Sequence, residues 1–300
     1  MYNLVTVLGP TAVGKTSLAA KLAFEFNGEI ISADSRQAYK GMNIGTGKDL
    51  DDYKINGKNI PYHLIDIISP AEEFNLFLFK EKFEEAFKNI RNRERLPFLT
   101  GGTGLYLSSI IQKYELKKAD FDQKEYDRLN SLSDDELRET LMELKPSPHN
   151  TTDLSDKERM IKAILIETTG RSAYGIKSDI NSLNIGISLP RELIKKRITE
   201  RLKHRLNNGM IEEAERLIKE GITLEKMMFF GLEYKYLALY LNDELSYNDM
   251  FQKLNSAIHS FAKRQMTWFR KMEREGVKIH WIEGPDLDKA KEILLESGLN

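Results

Sequence analysis

The segment most suited to chemistry is residues 9–16, which read Gly-Pro-Thr-Ala-Val-Gly-Lys-Thr. This order matches the G-x-x-x-x-G-K-[ST] pattern of a phosphate-binding loop, or P-loop. In such a loop backbone N–H groups converge on an oxyanion, Lys15 supplies positive charge, and Thr16 offers a hydroxyl to Mg²⁺. The alternative is an ordinary glycine-containing turn. The segment predicts a site for a phosphorylated ligand, but it does not say whether that ligand is a nucleotide.

Two further candidates follow later predicted strands. Asp34 ends the strand at residues 28–34, and its carboxylate could act as a general base, hold a metal ion or cap the next helix. Thr103 lies in the Gly-Gly-Thr-Gly turn at residues 101–104, where its hydroxyl and nearby N–H groups could stabilise a leaving phosphate. The alternative for Thr103 is a tight strand-to-helix turn. Asp66, at a third strand over residues 63–68, could bind a metal ion or cap a turn.

Two basic clusters lie in the C-terminal third of the chain. A predicted helix over residues 191–208 has few acidic residues, and it carries Lys195, Lys196, Arg197, Arg201, Lys203 and Arg205. Arg197, Arg201 and Arg205 are spaced four apart and share one helix face. In the second cluster, residues 261–271, aromatic residues alternate with Lys and Arg, which suits a nucleic-acid surface. We expect the rings of this second cluster to pack in the core and some of its cations to meet phosphate.

The elements that must position these residues alternate between strands and helices up to residue 112. This alternation predicts an α/β fold with a parallel sheet, in which ligands bind at the carboxyl ends of the strands. We therefore expect residues 9–16, Asp34 and residues 101–103 to surround one crevice. From residue 115 the sequence becomes charged and helical without a convincing strand, and a strand returns at residue 184. The prediction is a P-loop NTPase-like core (1–114 and 184–300) with a helical insertion domain (115–183).

Composition limits the classes of function. The 300 residues carry a formal net charge of −1, so there is no global basicity typical of a nucleic-acid-binding protein. Because the chain has no cysteine, disulfides and thiolate metal sites are excluded. No apolar run approaches the roughly 20 residues that cross a bilayer. These features favour a cytoplasmic protein that does not bind membranes.

The chain resembles the bacterial tRNA dimethylallyltransferases, also called tRNA isopentenyltransferases. The matching segments occur in the order of that family and cover most of the chain: residues 9–16, 34–46, 63–66, 101–106 and 262–270. The segment that begins Asp34-Ser-Arg-Gln is more specific than the phosphate-binding loop. Three segments depart from the family pattern, at Phe230-Gly231-Leu232, at His259 and at residues 155–159.

The resemblance implies transfer of the dimethylallyl group from dimethylallyl diphosphate to N6 of adenine 37 in tRNAs that read codons beginning with U. It assigns the proton acceptor to Asp34 and places Thr103 beside the reacting centre. It implies Mg²⁺ as cofactor with Thr16 as a ligand, and a monomeric enzyme that flips the target base into the crevice. The implied diphosphate-binding residues are Gly9, Pro10, Thr11, Ala12, Val13, Gly14, Lys15, Thr16 and Arg201. The implied tRNA-binding residues are Asp34, Ser35, Arg36, Gln37, Thr103, Glu158, Arg159, Met160, Ile161 and Lys162, and the insertion would grip the anticodon stem-loop.

Three rival functions share part of this pattern. A P-loop kinase acting on a nucleotide or small molecule would need an ATP base pocket and usually an arginine-bearing lid. A prenyltransferase acting on free adenine nucleotides would have less use for a tRNA-gripping insertion. A non-catalytic RNA-binding protein would have no reason to keep a full phosphate-binding loop beside Asp34 and Thr103.

Overall fold

The computed structural model describes residues 1–118, 122–144, 154, 156–169, 172–174 and 178–299. The chain divides into a larger unit, Met1–Gln112 with Lys177–Asn300, and a smaller unit, Lys113–Ile176. The predicted insertion at 115–183 includes residues 119–121, 145–153, 155, 170–171 and 175–177, which lie outside the described residues. The family departure at Ser155 lies outside them too.

Ten strands occur in chain order. They are β1 (Leu4–Leu8), β2 (Gly28–Ser32), β3 (Lys54–Ile55), β4 (Lys58–Asn59), β5 (Tyr62–His63), β6 (Leu96–Gly101), β7 (Leu116–Lys118), β8 (Ser172–Tyr174), β9 (Ser182–Ser188) and β10 (His280–Glu283). The larger unit is built on a six-stranded sheet of order β10-β9-β1-β6-β2-β5, and all its pairings are parallel. The prediction of an α/β fold with a parallel sheet is confirmed.

The centre of this sheet is buried on both faces, as expected for parallel strands covered by helices. Every residue of β1 and β2 is buried. In register, Val7 of β1 lies between Thr100 of β6 and Ile185 of β9. Because β1, β2 and β6 run in the same direction, the segments that follow them emerge at one edge of the sheet.

Twelve α-helices complete the described part of the chain. They are α1 (Lys15–Glu25), α2 (Leu76–Asn92), α3 (Gly104–Ile111), α4 (Gln123–Asn130), α5 (Asp134–Leu144), α6 (Lys157–Thr169), α7 (Arg191–Leu206), α8 (Met210–Lys219), α9 (Leu224–Phe229), α10 (Leu232–Leu241), α11 (Tyr247–Arg274) and α12 (Leu287–Glu296). Several begin at a side-chain cap: Asn75 accepts the N–H of Leu78 for α2, and Ser246 accepts that of Asp249 for α11. Among the described residues, every helix is too short or too polar to span a bilayer.

The third predicted strand is mostly wrong. Strand β5 contains only Tyr62 and His63, and the chain leaves the sheet at once. Leu64 and Asp66 adopt left-handed backbone conformations with φ of 65° and 54°, which end the extended conformation. Asp66 forms an ion pair with Lys48, whose ammonium lies 2.5 Å from its carboxylate. It therefore anchors the loop that contains Lys48 and does not sit at a strand end.

The aromatic residues of α11 follow our expectation only in part. Phe269 is fully buried in the core. Trp268 is half-buried, and its indole N–H donates to Ser108 Oγ at 2.6 Å. Phe261 is 37% exposed, so the prediction that this ring packs in the core is wrong. It lies on the outer face of the helix, where Arg264 approaches its ring to 5.9 Å.

The smaller unit is built on α4, α5 and α6. Its core is formed by the apolar residues Leu129, Leu137, Leu141, Met160, Ile161, Ile164 and Leu165. Strands β7 and β8 pair antiparallel, with Leu116 opposite Tyr174. The expectation of no strand after residue 115 is therefore wrong. A strand of three residues is too short to show alternation in the sequence, and its partner is distant along the chain.

Candidate active site

The loop between β1 and α1 exposes a run of backbone donors. Gly14 has φ of +91° and Ala12 has φ of +66°, so the chain reverses sharply before α1 begins at Lys15. Among the described residues, the N–H groups of residues 12–17 have no acceptor. These N–H groups and the N-terminus of α1 form a site suited to an oxyanion. Pro10 has no N–H, Val13 is buried in the core, and the Thr11 N–H is taken by Gln265.

Lys15 folds back over this loop. Its ammonium donates to the carbonyl oxygen of Pro10 at 2.7 Å. Enclosure by the protein, and then the positive charge of Arg201, lower the pKa of Lys15 to about 7, while the carboxylate of Asp34 opposes this shift. A bound diphosphate would stabilise the ammonium, because two negative groups would replace the repulsion from Arg201. The chemistry expected of Lys15 is therefore electrostatic.

Arg201 reaches the loop from α7. Its guanidinium Nη2 donates to the hydroxyl of Thr11. Enclosure and the neighbouring Arg205 lower the pKa of Arg201 to about 10, so it still carries its charge at neutral pH. Arg205 is itself buried and lies 3.5 Å from the carboxylate of Asp49. The structure therefore brings Arg201 to the phosphate-binding loop, while Arg205 helps to hold the neighbouring loop.

Asp34 and Thr103 lie at the same edge of the sheet as this loop. Asp34 Oδ1 accepts the N–H of Arg36 at 2.9 Å, which caps the turn after β2. Its Oδ2 accepts no hydrogen bond from any described residue. Thr103 is the N-cap residue of α3, and its hydroxyl faces the N–H of Ser35 at 3.5 Å. The predicted crevice is present: the turns after β1, β2 and β6 lie together, and one carboxylate oxygen remains available for a proton.

Gln265 is a connecting residue that our motif reasoning missed. It lies on α11 and is buried. Its Oε1 accepts the N–H of Thr11 at 2.8 Å, and its Nε2 donates to the carbonyl oxygen of Gly102 at 2.8 Å. A Cβ at Gly102 would lie 2.2 Å from Nε2, so only glycine allows this approach. The signal was present in residues 262–270, but nothing in a sequence shows which side chain of a helix points inward at two loops.

Glu233, at the start of α10, is a second residue that we missed. It interacts electrostatically with Arg201, Arg205 and Asp34. Enclosure raises the pKa of Glu233 above its ordinary value, and the two arginines oppose this shift. Its carboxylate has no ion pair within 4.0 Å in the described part of the chain. It adds a carboxylate to a crevice that otherwise carries an excess of cations.

Glu213 and Lys48 hold the loop that follows Asp34. The buried carboxylate of Glu213, on α8, accepts the N–H groups of Asn43, Ile44 and Gly45 at 2.7–2.9 Å. It also accepts the hydroxyl of Tyr234 at 2.7 Å. The ammonium of Lys48 donates to the carbonyl of Tyr39 as well as to Asp66. The conformation of this loop is therefore set by charged side chains from outside it.

The segment Ser35–Arg36–Gln37 does not present three equivalent contacts. Gln37 is engaged in the protein, since its Oε1 accepts from Ser32 Oγ and its Nε2 donates to Gly47, both at 3.1 Å. Ser35 is half-exposed, and its hydroxyl has no partner among the described residues. The guanidinium of Arg36 lies 5.3 Å from the ring of Phe229. Arg36 and Ser35 can meet a ligand directly, whereas Gln37 supports the loop.

The predicted contacts on α6 need a correction. Met160 and Ile161 are fully buried in the core of the smaller unit, so their side chains cannot touch RNA. Glu158, Arg159 and Lys162 are exposed, and Lys162 pairs with Glu158 at 2.7 Å. Any contact that this helix makes with RNA falls to these exposed residues, of which Arg159 carries an unshared positive charge.

The residues present fit a magnesium ion bound together with a diphosphate. The hydroxyl of Thr16 has no partner among the described residues, and it opens the first turn of α1. The described residues contain no cluster of three or more His, Cys, Asp or Glu side chains that could hold a metal ion by themselves. Mg²⁺ often binds through one or two protein oxygens together with substrate phosphates and water. Thr16 would be the protein ligand in that arrangement.

Comparison with known proteins identifies the family. The IPP transferase family matches residues 37–272, and the isopentenyl transferase family matches residues 2–66. The chain belongs to the IPP transferase family. Members of the family include tRNA dimethylallyltransferase 2 of Pelobacter propionicus, which is 48% identical over 99% of this chain and 95% of that protein. Another is tRNA dimethylallyltransferase 1 of Geotalea uraniireducens, which is 50% identical over 97% of each chain. This IPP transferase family member is therefore an enzyme of the transferase class, as the resemblance implied.

Solved structures of IPP transferases share this fold. The full-length tRNA isopentenylpyrophosphate transferase from Bacillus halodurans superposes with a TM-score of 0.71 at 31% identity, over 99% of this chain and 96% of that one. A eukaryotic dimethylallyltransferase, described as acting on tRNA, superposes with a TM-score of 0.76 at 23% identity, over 99% of this chain and 78% of that one. At that identity the eukaryotic structure supports the fold alone.

Proposed function

We propose that this chain is a tRNA dimethylallyltransferase that modifies N6 of adenine 37 in tRNAs reading codons that begin with U. The carrying observation is the position of Asp34: its carboxylate, with one oxygen unpaired, lies in the same electrostatic cluster as Lys15 and Arg201. A diphosphate-binding loop and a proton acceptor therefore share one crevice. The names of the relatives supply the two substrate classes, a dimethylallyl donor and tRNA.

The phosphate-binding loop would hold the diphosphate end of dimethylallyl diphosphate. The N–H groups of residues 12–17, the ammonium of Lys15 and the guanidinium of Arg201 would accept negative charge as the C1–O bond breaks. The diphosphate leaves with the bonding electrons. Mg²⁺, held by Thr16 and the diphosphate, would neutralise further charge on the leaving group.

The acceptor is the exocyclic amine of the adenine. As N6 forms its bond to C1, it becomes acidic and gives one proton to Asp34 Oδ2, the oxygen without a partner. Thr103 lies next to this path at the start of α3, where its hydroxyl can orient the amine or the departing oxygen. The N–H of Arg36 fixes the Oδ1 of the same carboxylate, so the acceptor oxygen is positioned before the substrate arrives.

An adenine in an anticodon stem-loop must leave its stack to reach a crevice of this kind. Exposed cations of the larger unit, such as Lys203 on α7, and Arg159 on α6 of the smaller unit would bind backbone phosphates. We propose that the smaller unit contributes RNA binding and that the enzyme acts as a monomer.

A transfer assay tests this function. The protein is incubated with Mg²⁺, labelled dimethylallyl diphosphate and unmodified tRNA with adenines at nucleotides 36, 37 and 38, with ATP and AMP present as competitors. We expect label in the tRNA alone. Label in AMP would support the free-nucleotide prenyltransferase, and phosphate transfer from ATP would support the kinase. Retained tRNA binding with loss of turnover in Lys15→Ala would exclude a protein that only binds RNA.

A further inference from the structure

Phe229 presents an exposed aromatic ring beside the crevice. It ends the short helix α9 and is 44% exposed, and its neighbour Met228 is 42% exposed. Most large aromatic residues of the larger unit are buried, including Phe230, which is only 1% exposed. An exposed ring next to a functional crevice is a candidate ligand contact.

The ring of Phe229 is held firmly from behind. It contacts the ring of Phe230 edge-on, with centroids 6.2 Å apart. Phe230 contacts the fully buried Tyr39 in the same manner, with centroids 5.0 Å apart. A ring supported by two buried rings loses little conformational freedom when a ligand stacks on it, which favours binding.

Two cations flank the same ring. The guanidinium carbon of Arg36 and the ammonium of Lys226 each lie 5.3 Å from its centroid. Neither cation has a carboxylate partner within 4.0 Å in the described part of the chain. An aromatic ring with two unpaired cations beside it suits a nucleobase and the phosphates of its strand. An apolar peptide would leave both charges without a partner.

Arg36 connects this ring to the candidate base. Its backbone N–H donates to Asp34 Oδ1 at 2.9 Å, and its Nε packs over Gly231, 3.2 Å from where a Cβ would stand. Gly231 has φ of +113°, so the turn between α9 and α10 brings Phe229 and the Arg36 side chain together. The ring therefore lies one side chain away from the residue that would take the proton.

We infer that Phe229 is a stacking platform for an unpaired RNA base next to the target adenine, with Lys226 binding an adjacent phosphate. Stacking on Phe229 would occupy a neighbouring base of the loop while the target base enters the crevice. This inference rests on the proposed function for the identity of the RNA. It assigns Phe229 a role in specificity, because a ring of this kind binds loop nucleotides and not a paired stem.

A binding experiment tests the inference without depending on catalysis. The probe is a fluorescently labelled anticodon stem-loop RNA, and anisotropy gives its Kd for wild type, Phe229→Ala and Phe229→Tyr. We expect Phe229→Ala to weaken binding about tenfold and Phe229→Tyr to stay within about twofold of wild type. The matched control is Phe261→Ala, since Phe261 is also exposed and also lies beside an arginine. This control should bind as wild type does.

A second arm uses RNA with abasic sites at nucleotides 36 and 38. Wild type should bind this RNA about tenfold more weakly than the intact loop, and Phe229→Ala should then add no further loss. A Phe229→Ala Kd within twofold of wild type would overturn the inference, as would an equal loss on intact and abasic RNA. Self-association that Phe229→Ala abolishes, with RNA affinity unchanged, would also overturn it and would identify a protein contact.

The two proposals fail separately. If wild type transfers no dimethylallyl group to tRNA but the Phe229-dependent binding of the loop persists, the proposed function fails and the stacking platform stands. If transfer occurs and Phe229→Ala binds the stem-loop normally, only the stacking platform fails. The melting temperature of Phe229→Ala should match that of wild type, and the abasic arm with wild-type protein applies even if it does not.

Discussion

The side-chain oxygen of Gln265 accepts the N–H of Thr11 at 2.8 Å, although 254 positions separate the two residues in the sequence. The amide nitrogen of the same side chain donates to Gly102 at 2.8 Å. One buried amide on α11 thus fixes the distance between the phosphate-binding loop and the turn that carries Thr103. The leaving group and the reacting centre are held in register by a residue that touches neither.

Replacement of Gln265 by Ala should lower kcat/KM for dimethylallyl diphosphate by about 10- to 100-fold. The change leaves a buried N–H and a buried carbonyl unpaired, which costs about 1–3 kcal/mol each and lets the two loops separate. Steady-state kinetics measure the effect. The control is Gln252→Ala on the exposed face of the same helix. Equal activity of the two variants would show that the bridge has no catalytic importance.

The low pKa of Lys15 predicts a proton-linked affinity for diphosphate. In the free enzyme enclosure and Arg201 lower the pKa of Lys15 to about 7, so the amine is mostly neutral at pH 8. Bound diphosphate favours the charged ammonium, so binding at pH 8 should take up roughly one proton at this site, and affinity should fall as pH rises above 7. Calorimetry in buffers of different ionisation enthalpy measures this uptake.

The control for that experiment is Lys15→Arg, which keeps the positive charge but does not titrate in this range. Proton uptake by the diphosphate itself is common to both proteins and cancels in the difference. The same uptake in wild type and Lys15→Arg would contradict a titrating Lys15.

Arg201→Ala should weaken the binding of inorganic diphosphate more than tenfold. The guanidinium is part of the phosphate-binding loop through Thr11 and carries a full charge in an enclosed site. Lys203→Ala, two positions along the same helix and exposed, should change this affinity less than twofold. Inhibition of the transfer reaction by diphosphate gives both values, and a similar loss in the two variants would argue for a general effect of charge.

Glu213→Ala should destabilise the protein by about 3 kcal/mol, because it leaves three N–H groups and the hydroxyl of Tyr234 without an acceptor. We expect a fall in melting temperature of roughly 5 °C and weaker tRNA binding, since residues 43–45 belong to the loop that follows Asp34. The exposed neighbour Glu212 provides the control as Glu212→Ala. An unchanged melting temperature in Glu213→Ala would mean that this loop keeps its shape by itself.

Much of the core could be predicted because local patterns and one topological rule were sufficient. The phosphate-binding loop, Asp34 and Thr103 each follow a strand, and parallel strands place such segments at one edge. The third strand was not predictable in the same way. Residues 63–68 are mostly apolar, and nothing in their composition reveals the left-handed conformations of Leu64 and Asp66. That break is accompanied by the ion pair between Asp66 and Lys48.

The connecting residues were missed for a related reason. Gln265, Glu213 and Glu233 lie on helices far along the chain, and their function depends on which side of a helix faces which loop. A sequence pattern shows that α11 is amphipathic, but it does not show that a polar residue on its buried side meets Thr11 and Gly102. Similarly, Phe261 and Phe269 are one ring type on one helix, and only the packing separates the exposed ring from the buried one.

The most direct test of the account compares wild type with Asp34→Asn in single-turnover transfer. Both proteins are given saturating dimethylallyl diphosphate, Mg²⁺ and tRNA, and digestion of the tRNA measures N6-dimethylallyladenosine at position 37. We expect Asp34→Asn to be slower by about 10²- to 10⁴-fold while its Kd for tRNA stays within threefold of wild type, because the amide keeps the turn but cannot take the proton. A variant rate within about threefold of wild type would contradict the assignment of Asp34 as the proton acceptor.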